Sequence, residues 1–158
     1  MRISTKGRYA LRAMIDIARQ DSDQYIRLED IAMRQNISKK YLEAVIKFLV
    51  VNGLLEGKRG KNGGYKLVRD PEEYTAWDII SVTEKDEIAP VACLENSAAP
   101  CPIKKTCPTL SMWKEFGQVE KEFFSRYTIR DLAEGKNRTK KKQNCASYSS
   151  SSSIRNNS

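Results

Sequence analysis

Three runs of helical periodicity in quick succession, closed by a glycine-rich turn between two short extended runs, constrain this chain more than any other feature. From Thr5 to Arg19, Leu11, Met14, Ile15 and Ala18 fall at i, i+3, i+4 and i+7, the stripe of an amphipathic helix. Ser4 or Thr5 can cap it. Asp21-Ser22-Asp23 ends it, and a short extended piece around Tyr25–Arg27 follows. A brief helix is expected over Leu28–Gln35 with Ile31 and Ala32 inward, then a tight turn at Asn36-Ile37. Ser38 caps a longer helix to about Asn52, with Leu42, Val45, Ile46 and Leu49 as its buried stripe. Gly53 stands where a left-handed residue ends a helix. Leu54–Lys58 and Tyr65–Val68 are extended, and Arg59-Gly60-Lys61-Asn62-Gly63-Gly64 between them is a hairpin signal.

Helix, short helix, turn, helix and two-stranded hairpin, in that order, describe a winged helix-turn-helix. The expected fold is mainly α, with a small two-stranded β-wing and a long C-terminal helix. A helix fits the major groove of B-form DNA and presents its N-terminal residues to base edges and phosphates. The candidate recognition helix opens Ser38-Lys39-Lys40-Tyr41, whose hydroxyl, ammonium and phenol groups suit that task. Glu43 lies one turn in; as a carboxylate it can accept a hydrogen bond from cytosine N4, or it is a solvated surface acid. Lys58, Arg59 and Lys61 sit at the wing tip, and Arg59 is the residue expected in a narrow minor groove, whose negative potential attracts arginine. Arg2, Ser4, Thr5, Lys6 and Arg8 are placed to meet the DNA backbone where the first helix begins.

Charge supports this. The chain carries a formal +8, unevenly distributed. Residues 1–70 hold 15 basic and 8 acidic residues, residues 71–135 hold 7 and 12, and residues 136–158 hold 6 and none. We expect a winged helix-turn-helix DNA-binding domain over 1–70, a cysteine loop and long helix over 71–135, and a disordered basic, serine-rich tail over 136–158. In the middle part, Pro71 and Thr75 introduce a helix over Ala76–Val82, and a proline-interrupted loop spans Asp86–Pro108. A long helix over Thr109–Arg126 carries Trp113, Phe116, Val119 and Phe123, facing either a copy of itself or its own domain. Thr128 caps a last short turn through Leu132. No run approaches the 18 apolar residues of a membrane span, and the charged N-terminus is unlike a signal peptide, so a cytoplasmic protein without a membrane partner is expected.

The chain has no histidine. Ser-His and Cys-His catalysis and His-ligated metals are thereby removed, no nucleophile motif appears, and the glycines at 60–64 lack the context of a phosphate loop, so no enzyme is expected. Cys93, Cys101 and Cys107 form a Cys-x7-Cys-x5-Cys array, with Cys145 apart in the tail. Structural zinc sites favour closer pairs and four ligands. Thiolates on a flexible loop suit an iron–sulfur cluster. Zinc, thiol oxidation or three small packed cysteines are the alternatives.

The segments MRISTKGRYALRAMIDIA, IAMRQNISKKYLEAVIKFL and GLLEGKRGKNGGYKL together resemble the IscR-type winged-helix transcription regulators, whose relatives include the nitric-oxide sensor NsrR and the cysteine-metabolism repressor CymR. The likeness covers about residues 1–135. It implies a homodimer on a palindromic double-stranded DNA operator, with the long C-terminal helix as the dimerisation helix, Ser38, Lys39, Lys40, Tyr41 and Glu43 at the major groove and Arg59 at the minor groove. It also implies that Cys93, Cys101 and Cys107 hold an iron–sulfur cluster, 2Fe–2S in preference to 4Fe–4S; CymR-like members lack this loop pattern. Where IscR-like proteins place a histidine as fourth ligand, three residues after the third cysteine, this chain has Leu110. Where some nitric-oxide sensors use an acidic residue from the partner subunit, it has Arg8. Glu84, Asp86, Glu87, Glu95, Cys145, solvent or a small thiol are the candidates for that position. The implied function is a repressor that senses cluster status, with nitric oxide or redox as alternative signals. A cluster-free regulator controlled by docking a metabolic enzyme is the rival.

Overall fold

A computed structural model describes residues 3–20, 24–84, 88–95 and 97–136. Arg2, Asp86, Glu87, Cys145 and the tail beyond Lys136 lie outside the described residues. Among the described residues, six helices and one hairpin follow in order: α1 Thr5–Arg19, α2 Leu28–Gln35, α3 Lys39–Val51, β1 Leu55–Lys58, β2 Gly64–Leu67, α4 Ala76–Glu84, α5 Leu110–Ser125 and α6 Ile129–Ala133, with short 3-10 turns at Pro71–Glu73 and Ala92–Leu94.

Helix α1 is the hub, packed on α2, α3, α4 and α6. That changes its inward face. Of the expected stripe, Met14 and Ala18 are buried while Leu11 and Ile15 are only partly so, and Ala10, Ala13 and Ile17 are buried besides. A helix covered from several sides buries more than one stripe, and its small alanines allow neighbours to approach closely. Helix α2 has Glu29 and Asp30 in its first turn, where the helix dipole favours acids, and ends at Asn36 in the left-handed conformation (φ 49°). Ile37 beyond it is buried, and Ser38 then caps α3 by accepting from the Tyr41 N–H at 3.4 Å. The expected α3 stripe of Leu42, Val45, Ile46 and Leu49 is buried throughout, and Gly53 takes φ 69° after the helix.

The hairpin pairs Leu55 with Leu67, Glu56 with Lys66, Gly57 with Tyr65 and Lys58 with Gly64. Ile26 adds a bridge to Tyr65 through two backbone hydrogen bonds of 3.0 and 2.8 Å, so the extended piece before α2 lines the wing. Gly64 lies so close to the Ile26 carbonyl that a Cβ would overlap it.

Tyr74, Ile79 and Ile129 join the residues of α1–α3 in one core cluster. The stretch Tyr74–Ala76 pairs with Tyr127–Ile129 through the Thr75–Thr128 bridge, and Thr128 caps α6 with Asp131 in a reciprocal capping box. Helix α5 differs: none of its residues is buried. One carboxylate is buried deep between α1 and α2. Asp16 accepts from Arg34 Nη2 at 2.7 Å, Arg34 Nε at 3.1 Å and Gln35 Nε2 at 2.8 Å, while Arg12 donates to Gln35 from the outside.

Candidate nucleic-acid interface and cysteine loop

The N-terminal turn of α3 presents Lys39, Lys40, Tyr41 and Glu43 to solvent. Ser38 is also exposed, though its hydroxyl is used in capping. Tyr41 is braced from α1: the Tyr9 ring meets it edge-on with centroids 5.4 Å apart, and Arg12 lies 5.4 Å over Tyr9. Lys6 sits 4.6 Å over the Phe48 ring, so this α1 cation flanks α3. Thr5 and Arg8 are exposed and bonded to each other at 3.0 Å. Ser4 faces inward. Its hydroxyl accepts from the Gly7 N–H and donates to Glu84 Oε1 at 2.8 Å, and its backbone N–H bonds Glu84 Oε2 at 3.3 Å.

Between α3 and the wing lies an open groove of about 890 Å³. Lys39, Glu43 and Lys47 form one wall, Lys58, Arg59 and Lys61 the other, and Arg27 and Glu29 lie at the α2 end. Of the expected cations of helix and wing, the groove brings together Lys39, Lys58, Arg59 and Lys61 but not Lys40, and it adds two, Arg27 and Lys47. Lys47 was legible, since Lys40, Glu43 and Lys47 follow at helical spacing. Arg27 was not: it reaches the groove by donating to the Lys61 carbonyl at 3.1 Å, across a sequence gap that no pattern signals. Glu29 pairs with Lys39 at 2.5 Å, and this hydrogen-bonded pair holds the Glu29 carboxyl below and the Lys39 ammonium above their ordinary ranges. Lys58 rests 5.6 Å over the Tyr25 ring, whose hydroxyl donates to Glu56 at 2.9 Å; that bond raises the phenol above its usual range.

Cys93, Cys101 and Cys107 are free thiols, each half-buried, on the loop between α4 and α5. Cys93 lies in the 3-10 turn Ala92–Leu94. Cys107 sits just before α5, where its sulfur meets the Thr109 hydroxyl at 3.5 Å. The Thr109 side chain, with the Thr109 and Leu110 backbone amides, lowers the thiol below its usual range. Among the described residues, no three His, Cys, Asp or Glu side chains are gathered around a common point where a metal ion would bind. The donor set nonetheless fits an iron–sulfur cluster in chemistry, since it is three soft, unpaired thiols on one loop. Of the oxygen candidates for a fourth ligand, Glu84 is buried and already bonded to Ser4 and Thr83, and Glu95 is half-buried on the loop.

Residues 3–135 match the Rrf2 family, described as an iron-dependent transcriptional regulator. The chain belongs to the Rrf2 family. This Rrf2-family protein is 36% identical over 132 residues to the protein rrf2 of Nitratidesulfovibrio vulgaris, covering 84% of this chain and 87% of the relative. It is 38% identical over 133 residues to the HTH-type transcriptional regulator CymR of Bacillus subtilis, covering 84% and 90%. It is 32% identical over 132 residues to the HTH-type transcriptional regulator IscR of Yersinia pseudotuberculosis, covering 84% and 79%. The solved structure of CymR, the global cysteine regulator of B. subtilis, superposes with a TM-score of 0.69 at 36% identity, over 87% of this chain and 99% of that one. T. potens IscR superposes with a TM-score of 0.63 at 32% identity, over 85% and 88%. The expected winged-helix fold is thus the one observed. The Rrf2-family protein is a DNA-binding transcription regulator and not an enzyme. Among the described residues, no helix is long and apolar enough to cross a membrane.

Proposed function

We propose that this Rrf2-family regulator is a cytoplasmic repressor that binds a palindromic double-stranded DNA operator as a homodimer and senses iron–sulfur cluster status through Cys93, Cys101 and Cys107. The observation that carries the DNA reading is the groove whose facing walls hold Lys39 and Lys47 on α3 and Lys58, Arg59 and Lys61 on the wing. In this reading Ser38, Lys39, Lys40, Tyr41 and Glu43 meet the major groove and Arg59 enters the minor groove. Arg2, Thr5, Lys6 and Arg8 meet the backbone, and Ser4 contributes by fixing the start of α1.

Cys93, Cys101 and Cys107 would hold the cluster, which when bound supplies a redox-active centre sensitive to oxidants and nitric oxide; 2Fe–2S is preferred, with 4Fe–4S the alternative. The chain's own residues connect that loop to the DNA-binding face. At one end the loop follows Glu84, which holds the N-terminus of α1 through Ser4. At the other it leads into α5, whose uncovered apolar residues suit a partner copy.

The test is anaerobic purification followed by absorption and Mössbauer spectra, iron and sulfide analysis, and operator binding with and without the cluster. Protein without visible charge-transfer bands, iron or sulfide sinks the cluster reading. A second reading is a cluster-free regulator controlled by docking a metabolic enzyme; the likeness to CymR, at least as strong as that to IscR, favours its cluster-free part. Its signature is one stoichiometric enzyme partner on protein that never acquires iron.

A further inference from the structure

The hairpin ladder ends at the pair Leu55–Leu67, but the foot of the wing is joined once more, through a side chain from outside it. Tyr74 is fully buried. Its hydroxyl donates to the Leu54 carbonyl at 3.1 Å and accepts from the Arg69 N–H at 2.9 Å. Leu54 immediately precedes β1, and Arg69 follows β2 by two residues. One phenol oxygen thus bridges both strands where they leave the body of the protein. The Arg69 guanidinium closes over the ring at 4.4 Å from its centroid.

The same residue is fixed from below. The Tyr74 carbonyl accepts from the Ile129 N–H at 2.9 Å, and two residues on, the Ala76 N–H donates to the Tyr127 carbonyl at 2.8 Å. Tyr127 lies in the link between α5 and α6, and Ile129 opens α6. Phenylalanine would fill the core equally well, yet it would leave a carbonyl and an amide at the wing foot without this partner. The hydroxyl is therefore explained by the wing rather than by packing.

We propose that Tyr74 is a positioning residue for the wing: it sets the angle at which the hairpin leaves the body, and so whether Arg59 reaches the minor groove. This rests on the reading of Arg59 given above and names the residue on which that contact depends. The wing tip is steadied separately by Ile26 and Arg27, neither of which touches the Leu54–Arg69 foot through the bonds described.

The experiment is a double-mutant cycle on the full chain. The probe is duplex DNA selected from a random-sequence pool by the unsubstituted protein, at one fixed salt concentration. Arg59→Ala is expected to weaken binding about tenfold in the unsubstituted protein, which corresponds to about 1.4 kcal/mol. In Tyr74→Phe it is expected to weaken binding by less than about twofold, because the arginine is no longer delivered. Lys40→Ala, on α3, should cost the same factor in both backgrounds. If Arg59→Ala costs the same factor with and without the hydroxyl, Tyr74 is structural only and the proposal is overturned. If Arg59→Ala has no effect in the unsubstituted protein, the wing reading itself fails, and this inference with it. Amide exchange on the unsubstituted protein gives a check that does not depend on the folding of the Phe variant. The Arg69 N–H is expected to be protected like the β1–β2 ladder, and exchange at the rate of an exposed loop overturns the proposal.

Discussion

The hydroxyl of Ser4 donates to Oε1 of Glu84 at 2.8 Å, tying the first helix of the DNA-binding module to the last residue before the cysteine loop. Glu84 is buried, and its carboxylate also takes the Ser4 N–H and the Thr83 hydroxyl. Gly7 stands directly against it: a Cβ there would overlap Glu84 Oε1 and crowd the Thr83 hydroxyl. Glycine to alanine inside a helix ordinarily stabilises by about 1 kcal/mol. Here Gly7→Ala is expected to destabilise, because it drives a buried carboxylate off its hydrogen bonds, a loss of about 2–3 kcal/mol. In a Glu84→Ala background the cost of Gly7→Ala should shrink by at least about 1 kcal/mol, because the obstructing carboxylate is gone. Urea unfolding of the four proteins decides it; strictly additive effects would show that Gly7 is not reserved for Glu84.

Glu29 and Lys39 form the other pair with a functional consequence. Lys39 is expected to meet phosphate, yet in the free protein it is paired with Glu29 at 2.5 Å. The Glu29 carboxyl is held below its ordinary range, so the pair persists above that lowered value and is lost only as pH falls through it. If Lys39 meets phosphate as proposed, binding DNA has it exchange one anion for another. Glu29→Gln is expected to raise affinity for random-sequence duplex a few-fold, because Lys39 is then free beforehand, whereas Lys39→Ala should make log K against log salt shallower by about 0.9, one phosphate contact fewer. An unchanged slope would place Lys39 away from phosphate.

Much of the DNA-binding half was legible because its signals are local. The α3 stripe, Ser38, Gly53 and the glycine-rich turn each determine structure within a few residues. What stayed hidden depends on partners distant in the chain. Asp16 lies between Ile15 and Ile17 and gives no sign of being buried; only Arg34 and Gln35, brought back by the α2 fold, make that tolerable. Ser4 is legible as a cap of α1, but nothing near it in sequence points to Glu84. On α1 the buried face is wider than the stripe, which is right at Met14 and Ala18, because several neighbours cover the helix and a single-face pattern cannot anticipate that. The three cysteines were visible at once, but their mutual arrangement is a property of an irregular loop without periodicity.

Cys101→Ser separates a ligand from a structural cysteine. Cys101 is half-buried, and its carbonyl accepts from the Lys104 N–H at 3.1 Å, a backbone contact the substitution leaves intact. Stability should change by no more than about 0.5 kcal/mol, as for surface positions. Protein purified without oxygen is expected to lose bound iron and sulfide while keeping its oligomeric state and some DNA binding. Unfolding on substitution would show instead that the cysteine is part of the loop's packing.

Helix α5 leaves Met112, Phe116, Val119 and Phe123 exposed, Phe116 by 43%, Val119 by 53% and Phe123 by 48%. Their intervals of four, three and four residues are those of a heptad seam. Trp113, expected on that face, is half-buried, whereas Met112 takes the exposed position. Gly117, on another side of the helix, lies against Pro90, so the loop covers α5 there and leaves the seam open. An aromatic side chain buries about 150–250 Å² when covered, so two seams meeting remove a substantial apolar area from water. Phe116→Asp places a carboxylate at the centre of that seam and, in a symmetric dimer, next to its own copy. The variant is expected to sediment as a monomer with unchanged helical content, because α5 contributes no buried residue to the core. Binding to a palindromic duplex should fall at least tenfold (about 1.4 kcal/mol), since each monomer then holds only one half-site. A variant that remains dimeric with full operator affinity would move the dimer interface away from this helix.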